Sequence, residues 1–424
     1  MNRREFLKAL GLAGLGGVGE LGCSPALIRT HADTGLSLCY VCGEVTEDSA
    51  LVWLRAERGR RAALQYGKDP GLNHFTSTEL VSVDPDADET AIIPLDKLEP
   101  ATRYYYRAVI PRKMPGPIAS FVTAPRAADH AKVTFCFSGD TRDTYRPFMV
   151  MNAVHAQRPD FFMHLGDTIY ADINGVARRL PDFWAKYRRN RDDLSTEGCF
   201  CATSVYATWD DHEVVNDYGP GNPLAPMGRK AFLDYWPIRH RPGEAGEIYR
   251  SFRWGKAAEI FLLDTRQHRN PAKNTMLGVA QKRWLLNALA SSSATFKFIA
   301  TAVPMEGGGA DRWDGYPKER GEILKFIKDS RIGGVVFLSA DMHYAAITKI
   351  PNSGGLRDIT AGPLGAPLNR ITNGTAARFE FFMAENFNFA KITIDPKVDP
   401  RIAVVEFIDQ DNQVFYSAKI RAAG

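Results

Sequence analysis

Neither sign of charge dominates this sequence: 53 lysines and arginines stand against 49 aspartates and glutamates, a surplus of four. Residues 1–30 carry four of the basic and two of the acidic side chains, so the rest of the chain keeps a surplus of two. This balance argues against a nucleic-acid coat protein and against an acidic tail. With 45% hydrophobic and 11% aromatic residues over 424 positions, the chain is globular, and its length predicts two or three domains.

The N-terminal segment lacks an apolar run long enough to cross a bilayer, since its run covers only residues 9–18. No transmembrane span is expected in the mature protein. Arg3 and Arg4, followed by Phe, Leu and Lys, precede the run, and small and turn-forming residues follow it. Residues 1–30 therefore resemble a twin-arginine signal peptide, which predicts export of the folded protein by the twin-arginine machinery to the periplasm or the medium. A short buried helix is the alternative.

Cysteine is scarce, at six residues, and forms no clear zinc-binding pattern. Cys23 follows Leu and Gly as in a lipoprotein signal, but Glu20 stands where that signal has an apolar residue, so lipidation is the minor alternative. Twin-arginine export carries folded proteins, which points to a metal loaded before export. Folding first in a reducing compartment weakens the case for disulfides. Buried thiols are therefore expected at the remaining positions, Cys39, Cys42, Cys136, Cys199 and Cys201.

Residues 36–125 have the pattern of an all-β domain, with short alternating apolar stretches separated by turn residues. The segment LEPATRYYY at residues 98–106 resembles the corner of a fibronectin type III sandwich, where a tyrosine hydroxyl ties down a loop. We predict a fibronectin type III-like domain with a structural role, followed by a linker that starts at residues 124–126. Such a fold alone could equally serve adhesion.

From residue 130 onward, apolar strands alternate with helical periodicity, which predicts an α/β layer arrangement. Each strand ends in polar residues of the kind that bind ligands, and ligands bind at the carboxyl ends of such strands. The predicted strands are residues 133–138, 161–165, 204–209, 259–263, 296–301 and 334–339.

Four motifs directly follow predicted strands: GDTR at 139–142, GDTIY at 166–170, DDHE at 210–213 and ADMH at 340–343. Carboxylates, a phenol and imidazoles from four strand ends could converge on hard or borderline cations. One shared aspartate would place two cations close enough to clamp the attacking and leaving oxygens of a displacement. A single aspartate after a strand more often caps a helix, but four such motifs in order favour a metal site.

The order GD, GDxxY, DHE and DxH resembles the metallophosphatase superfamily, specifically its alkaline phosphatase D branch, which is related to the purple acid phosphatases. Similar stretches occur at residues 262–267, 276–278, 313–317 and 360–363, and the resemblance runs from about residue 36 to 370. It implies a phosphoesterase. It also implies a four-layer metallophosphatase β-sandwich flanked by helices, which we expect over residues 130–424 after the N-terminal domain.

The resemblance implies a role for each matching residue. Asp167 matches the carboxylate that bridges two metals, Tyr170 the phenolate on the first metal, and His343 an imidazole on the first metal. Asp211 and Asp341 match positions that hold the second metal.

Two departures from the branch bear on which metals bind. Asp140 stands where members of the branch commonly have a cysteine ligand, and it matches the purple acid phosphatase form of the motif. Residues 301–305 lack the histidine that many metallophosphatases place after the fifth strand. The second site is then all carboxylate, from Asp167, Asp211 and Asp341, which favours calcium over zinc. The first site suits ferric iron, so we expect iron with calcium, with zinc or manganese as alternatives.

The expected mechanism follows from charge, because two cations lower the pKa of a bound water towards about 7 and so supply hydroxide near neutral pH. His212 matches the superfamily histidine that stabilises the transition state or protonates the leaving oxygen; its alternative role is a bond to a carboxylate. Arg142 is expected either to clamp phosphate through its forked donors or to form a structural salt bridge. Arg266 is expected to be structural.

Substrate choice is left open by the motifs, since the branch includes phosphomonoesterases and phosphodiesterases. A phospholipase D-type diesterase that acts on lipid headgroups is the alternative function. A binding protein with a decayed site is disfavoured, because the ligand positions of all four motifs are intact. Residues 172–203 and 214–250 are long insertions expected to frame the pocket, and the chain after residue 370 is expected to form strands.

Overall fold

Twenty-one strands and seven α-helices occur in the part of the chain that the computed structural model describes, residues 31–239, 246–307, 309–370 and 379–422. The predicted signal peptide lies outside these residues. The strands are β1 (Leu36–Gly43), β2 (Ala50–Ala56), β3 (Arg61–Gly67), β4 (Thr76–Ser77), β5 (Val81–Ser82), β6 (Thr90–Leu95), β7 (Arg103–Val109), β8 (Ala119–Val122), β9 (Val133–Ser138), β10 (Phe161–Leu165), β11 (Ser204–Thr208), β12 (Arg250–Trp254), β13 (Ala258–Leu262), β14 (Phe296–Ala300), β15 (Val335–Ser339), β16 (Ala345–Lys349), β17 (Arg357–Thr360), β18 (Phe379–Met383), β19 (Asn388–Ile394), β20 (Ile402–Asp409) and β21 (Val414–Arg421). The helices are α1 (His31–Thr34), α2 (Val150–Ala156), α3 (Leu180–Arg191), α4 (Leu194–Ala202), α5 (Ala225–Tyr235), α6 (Gly278–Ser291) and α7 (Pro317–Asp329).

The N-terminal strands form two antiparallel sheets, one in the order β1-β2-β6 and one in the order β4-β3-β7-β8 with β5 also paired to β3. Side chains of β7 alternate between the core and the surface, so Tyr104 and Tyr106 are buried. The hydroxyl of Tyr104 accepts a hydrogen bond from the backbone N–H of Glu99 at 2.9 Å. This is the tyrosine corner that the sequence predicts, in an all-β domain as expected.

Two larger sheets follow. The first has the order β11-β10-β9-β19-β20-β21, with β9, β10 and β11 parallel, and the second has the order β12-β13-β14-β15-β17-β16-β18. Strands β10, β11, β14 and β15 are buried along their whole length, as expected for strands covered on both faces. All six predicted strands of this region are present, and their ends agree with the prediction to within one residue.

These two sheets pack face to face and carry helices on their outer faces. The ring of Phe135 in β9 lies 5.1 Å from that of Phe298 in β14, and Phe161 in β10 lies 4.6 Å from Trp254 in β12. Helices α2 to α5 share a core with the outer face of the first sheet, and α6 and α7 share one with the second. The predicted four-layer β-sandwich flanked by helices is confirmed.

The N-terminal domain packs against the first sheet and its helices. The indole of Trp53 donates a hydrogen bond to the carbonyl of Asp234 at 2.7 Å, and the hydroxyl of Tyr206 donates to the carbonyl of Val45 at 2.7 Å. Since these contacts involve buried aromatic side chains, they fix the N-terminal domain against the strands that carry the candidate site.

Cys39 in β1 and Cys201 in α4 form a disulfide across this contact. The expectation of buried thiols is wrong for this pair, because packing of β1 on α4 brings together two side chains that are 162 residues apart in the chain. The expectation is confirmed for Cys42, Cys136 and Cys199, which are free and buried.

The two predicted insertions form most of the helical cover of the first sheet. Residues 172–203 contain α3 and α4, and the described part of residues 214–250 contains α5. After residue 370 the described chain forms β18 to β21, as expected. Among the described residues, none of the helices combines the length and the apolar character needed to span a bilayer.

Candidate metal centre

Four loops meet at the carboxyl ends of β9, β10, β11 and β15, and each contributes an aspartate. Asp140 follows β9, Asp167 follows β10, Asp211 follows β11 and Asp341 follows β15. All four carboxylates are buried or nearly so. The layers of apolar strands therefore deliver four acidic side chains to one edge of the sandwich, as the spacing of the motifs predicts.

Four residues of these loops have positive φ angles. Asp140, Asp167, Asp341 and His343 have φ angles of 68°, 53°, 64° and 57°, in the left-handed region. This region costs a residue other than glycine roughly 1–3 kcal/mol and is found mainly where function requires it. Four strained residues at one site therefore indicate that their side chains are held in a set arrangement.

Two glycines let the loops approach each other closely. Gly166 has a φ of 103°, and a Cβ there would lie 2.6 Å from Cβ of Asp210. Gly362 has a φ of 131°, and a Cβ there would lie 2.8 Å from Oδ2 of Asp140. A larger residue at either position would push a carboxylate out of the cluster.

The first group of ligand atoms comes from Asp140, Asp167 and His343, which each offer one atom within 4.8 Å of the others. The hydroxyl of Tyr170 lies 3.2 Å from Nε2 of His343. Nδ1 of His343 lies 2.6 Å from the carbonyl of Pro367, so we assign the ring proton to Nδ1. This leaves the lone pair of Nε2 facing the group, as in histidines that bind metals.

The surroundings of Asp140 show whether a cation fits the first group. Its side chain is buried, and neither carboxylate oxygen has a hydrogen-bond partner among the described residues. The nearest cationic partner, Nε2 of His343, is 3.6 Å from Oδ1. A buried carboxylate is unstable unless it is paired or binds a metal. Two carboxylates, an imidazole and a phenol fit a cation at this position.

The phenol of Tyr170 depends on such a cation for ionisation. Burial, and then the neighbouring carboxylates of Asp167 and Asp140, raise the pKa of Tyr170 well above its ordinary value. Burial and then Asp211 likewise raise the pKa of Asp167. A cation bound between these side chains would lower the pKa values of both Tyr170 and Asp167.

A second group lies beside the first. Asp210, Asp211 and Asp341 offer oxygens within 4.8 Å of one another, and oxygens of Asp167 and Asp211 lie within the same distance of each other and of a ring nitrogen of His212. Asp167 thus shares one set with Asp140 and His343 and another with Asp211, which also belongs to the set with Asp341. This intermediate position is the one expected of a bridging carboxylate.

Arginines pair with the carboxylates of the second group. Arg312 binds both oxygens of Asp341, with Nε at 2.6 Å and Nη2 at 3.0 Å. Arg266 is buried, and it lies 2.5 Å from Asp210 and 3.5 Å from Asp211. These ion pairs agree with the structural role expected for Arg266.

His212 is fixed by the loops around it. Its Nδ1 lies 2.8 Å from Oδ1 of Asp172, and its backbone N–H donates to Asp211 at 2.9 Å. Burial opposes protonation, but the bond to Asp172 and the charge of Asp211 outweigh it and raise the pKa of His212. Both expected roles of His212 are thus compatible, because Nδ1 bonds a carboxylate while Nε2 remains for a substrate.

Arg142 also lies near the ring of Tyr170. Its guanidinium carbon is 6.0 Å from the centre of the Tyr170 ring, whereas the ring of His212 is 4.2 Å from it. Nε of Arg142 is buried and has no hydrogen-bond partner among the described residues, so the geometry gives no support to the expected alternative of a structural salt bridge.

Several positioning residues were not predicted. Glu213 accepts hydrogen bonds from the backbone N–H groups of Asp167, Thr168 and Asp210, at 3.1, 2.7 and 2.8 Å. Its place in the DDHE motif was a local signal that could have suggested a role. Asp172 lies two residues beyond the GDTIY motif and has no such signal.

Asn190 in α3 is another unpredicted residue. Its side-chain amide donates to the carbonyl of Thr141 at 3.2 Å and to that of Thr168 at 2.7 Å. These threonines each follow a candidate ligand residue, Asp140 or Asp167, so one amide ties two ligand loops together.

His164 also supports one of these loops. Burial lowers the pKa of His164 to about 3, and its neutral ring forms a hydrogen bond with the Thr141 hydroxyl at 3.1 Å.

Comparisons with known proteins agree with this geometry. The family model described as PhoD-like phosphatase matches residues 135–374, and that of the PhoD-like phosphatase N-terminal domain matches residues 22–125. Alkaline phosphatase D of Bacillus subtilis (strain 168) is 25% identical over 415 residues, covering 81% of this chain and 71% of that protein.

Two solved structures share the fold. A structure of PhoD superposes with a TM-score of 0.79 at 19% identity, covering 93% of this chain and 94% of that one. The purple acid phosphatase PPD1 from yellow lupin (Lupinus luteus) seeds has a TM-score of 0.68 at 14% identity, covering 91% of this chain and 74% of that one. The predicted likeness to both groups is confirmed at the level of the fold.

Proposed function

Because this chain belongs to the PhoD-like phosphatase family, we propose that it hydrolyses phosphate esters with two cations held between its four strand ends. The family and the relationship to alkaline phosphatase D make it a phosphoesterase, as the sequence resemblance implies. The observation that carries the two-cation proposal is the carboxylate of Asp140, buried and without a hydrogen-bond partner among the described residues. It lies within 4.8 Å of ligand atoms of Asp167 and His343.

Asp140, Asp167, Tyr170 and His343 would hold the first cation. A phenol, an imidazole and two carboxylates suit ferric iron. Asp167, Asp211 and Asp341 would hold the second cation; this all-oxygen set suits calcium, with zinc or manganese as the alternatives. When bound, a pair of cations generates the nucleophile from water near neutral pH and neutralises charge on the transferred phosphoryl group.

His212 and Arg142 would act on the substrate directly. Asp172 fixes His212 by its bond to Nδ1, so Nε2 can give a proton to the leaving oxygen. Arg142, whose guanidinium lies near the Tyr170 ring, would bind a phosphoryl oxygen with its forked donors. Both contacts involve the phosphoryl group that monoesters and diesters share, so the proposal covers both substrate classes.

Export through the twin-arginine route is also proposed, with the periplasm or the medium as the destination. Arg3 and Arg4 ahead of a short apolar run support it. A disulfide between Cys39 and Cys201 suits a protein that works in an oxidising compartment.

The test is the Asp167→Asn variant, with Asp411→Asn as the control because Asp411 is exposed in the turn between β20 and β21. Turnover of a chromogenic phosphomonoester, a phosphodiester and phosphatidylcholine is measured together with metal content. Asp167→Asn should lose hydrolysis and both metals, whereas Asp411→Asn should keep them. Retention of more than about a tenth of the turnover, a barrier change under about 1.4 kcal/mol, would contradict the bridging role. Preference for phosphatidylcholine would favour the headgroup diesterase.

A further inference from the structure

The negative charges of the carboxylates in the metal centre are compensated in two different ways. Both oxygens of Asp140 are buried and lack a hydrogen-bond partner among the described residues. Asp341, which belongs to the second group, instead has each oxygen bound by Arg312. The first group is therefore short of positive charge, while the second already contains it.

The contact between Arg312 and Asp341 has the geometry of a strong ion pair. Nε of Arg312 lies 2.6 Å from one carboxylate oxygen and Nη2 lies 3.0 Å from the other. Two parallel charge-assisted bonds are the strongest arrangement that a guanidinium and a carboxylate can form. The side chain of Asp341 is 5% exposed and that of Arg312 is 22% exposed, so water screens their attraction only in part.

Arg312 is held at this position by the segment that carries it, which lies between β14 and α7. The backbone N–H of Met305 donates to Asp358 at 2.7 Å, and the indole of the buried Trp313 donates to Thr301 at 3.1 Å. Because Trp313, the next residue in the chain, is buried and hydrogen-bonded, the backbone at Arg312 is anchored where its guanidinium reaches Asp341.

We propose that Arg312 competes with the second cation for Asp341, so that the second cation binds more weakly than the first and exchanges more readily. This inference rests on the proposed two-cation function. A cation at Asp341 must share or displace the hydrogen bonds of the guanidinium, and it experiences the repulsion of a positive charge a few ångströms away. At Asp140 the only ion pair among the described residues is with His343, which is itself a candidate ligand.

The experiment measures calcium binding to purified protein that carries its first metal, by isothermal titration calorimetry. Wild type is compared with Arg312→Gln, and with Arg320→Gln as a matched control because Arg320 pairs with Glu306 rather than Asp341. Loss of a forked ion pair should lower the calcium Kd of Arg312→Gln by at least about tenfold, while the control should stay within about twofold of wild type. Arg312→Lys should give a smaller decrease, since lysine keeps the charge but not the fork.

The proposal is decided by whether the calcium Kd rises or falls in Arg312→Gln. An unchanged or higher calcium Kd in Arg312→Gln would overturn the proposal, because it would mean that Arg312 holds Asp341 in place for the cation. First-metal content, measured by elemental analysis, shows whether each variant is folded. If Arg312→Gln lacks the first metal, the calcium Kd of Arg312→Lys is used instead. An Arg312→Lys variant whose calcium Kd is not lower than that of wild type would overturn the proposal. If wild type and all variants bind no second cation, the two-cation function itself fails, and the inference fails with it.

Discussion

Asp172 accepts a hydrogen bond from Nδ1 of His212 at 2.8 Å, and its other oxygen accepts the backbone N–H of Asn216 at 3.0 Å. The carboxylate is therefore held from two sides, and its bond to Nδ1 fixes the orientation of the imidazole. A histidine held in this way can transfer a proton without first having to reorient. The contact links the loop after β10 to the loop after β11.

We expect Asp172→Asn to lower kcat by about 10- to 100-fold with little change in KM, the range found when the carboxylate that orients a metal-binding histidine is removed. The pH profile gives a second readout. Because Asp172 raises the pKa of His212 against the opposing effect of burial, its loss should move the alkaline limb of kcat to lower pH.

A double variant separates positioning from general damage to the site. If Asp172 acts through His212, Asp172→Asn should have almost no further effect in a His212→Asn background, since residues that act as a unit are not additive. Fully additive losses, with an unshifted alkaline limb, would mean that Asp172 has only a structural role.

Asn190→Ala tests the link between two ligand loops. The variant leaves two carbonyl groups, of Thr141 and Thr168, without their shared donor, which should cost about 1–3 kcal/mol of unfolding free energy. Looser loops should also weaken binding of the first metal by about tenfold. Thermal unfolding and equilibrium dialysis measure the two effects.

Asn152→Ala is the matched control, because Asn152 is exposed on α2 and bonds only weakly to Met149. It should leave both the melting temperature and the metal affinity at their wild-type values. A normal first-metal affinity in Asn190→Ala, despite a lower melting temperature, would limit Asn190 to a role in stability.

The ligand candidates were predictable because each has a local signal. Asp140 and Asp167 follow β9 and β10, which are parallel neighbours, and parallel strands bring their carboxyl ends to one edge of a sheet. The strands themselves were predictable from short, mostly apolar runs such as Phe161–Leu165, which is buried at every position, as in a strand covered on both faces.

The residues that the sequence did not reveal depend on tertiary packing. Asn190 reaches the ligand loops only because α3 packs on the first sheet, and Arg312 reaches Asp341 only through the fold of the segment before α7. Cys39 and Cys201 likewise meet only after β1 packs on α4. Spacing along the chain carries no information about such contacts.

The twin-arginine prediction is tested by changing Arg3 and Arg4 to lysine together. The change keeps the positive charge but removes the paired guanidinium groups that the export receptor reads. Active enzyme should then accumulate in the cytoplasm, as measured by activity in separated cell fractions. A variant with lysine at Arg58 and Arg61, which are surface residues of the N-terminal domain, should be exported normally. Periplasmic activity in the Arg3 and Arg4 variant would indicate another route.

The last prediction concerns colour, because a phenolate bound to ferric iron absorbs visible light. Tyr170 is buried, its hydroxyl lies 3.2 Å from Nε2 of His343, and burial together with Asp167 and Asp140 raises its pKa, so only a strongly charged cation would ionise it. The purified protein should therefore be coloured. Tyr170→Phe should lose the band while most of the iron is retained, since three other ligands remain. Tyr145→Phe, at an exposed tyrosine, should keep the band. A colourless, fully active protein with two zinc ions would contradict the iron and calcium assignment and leave the phosphoesterase intact.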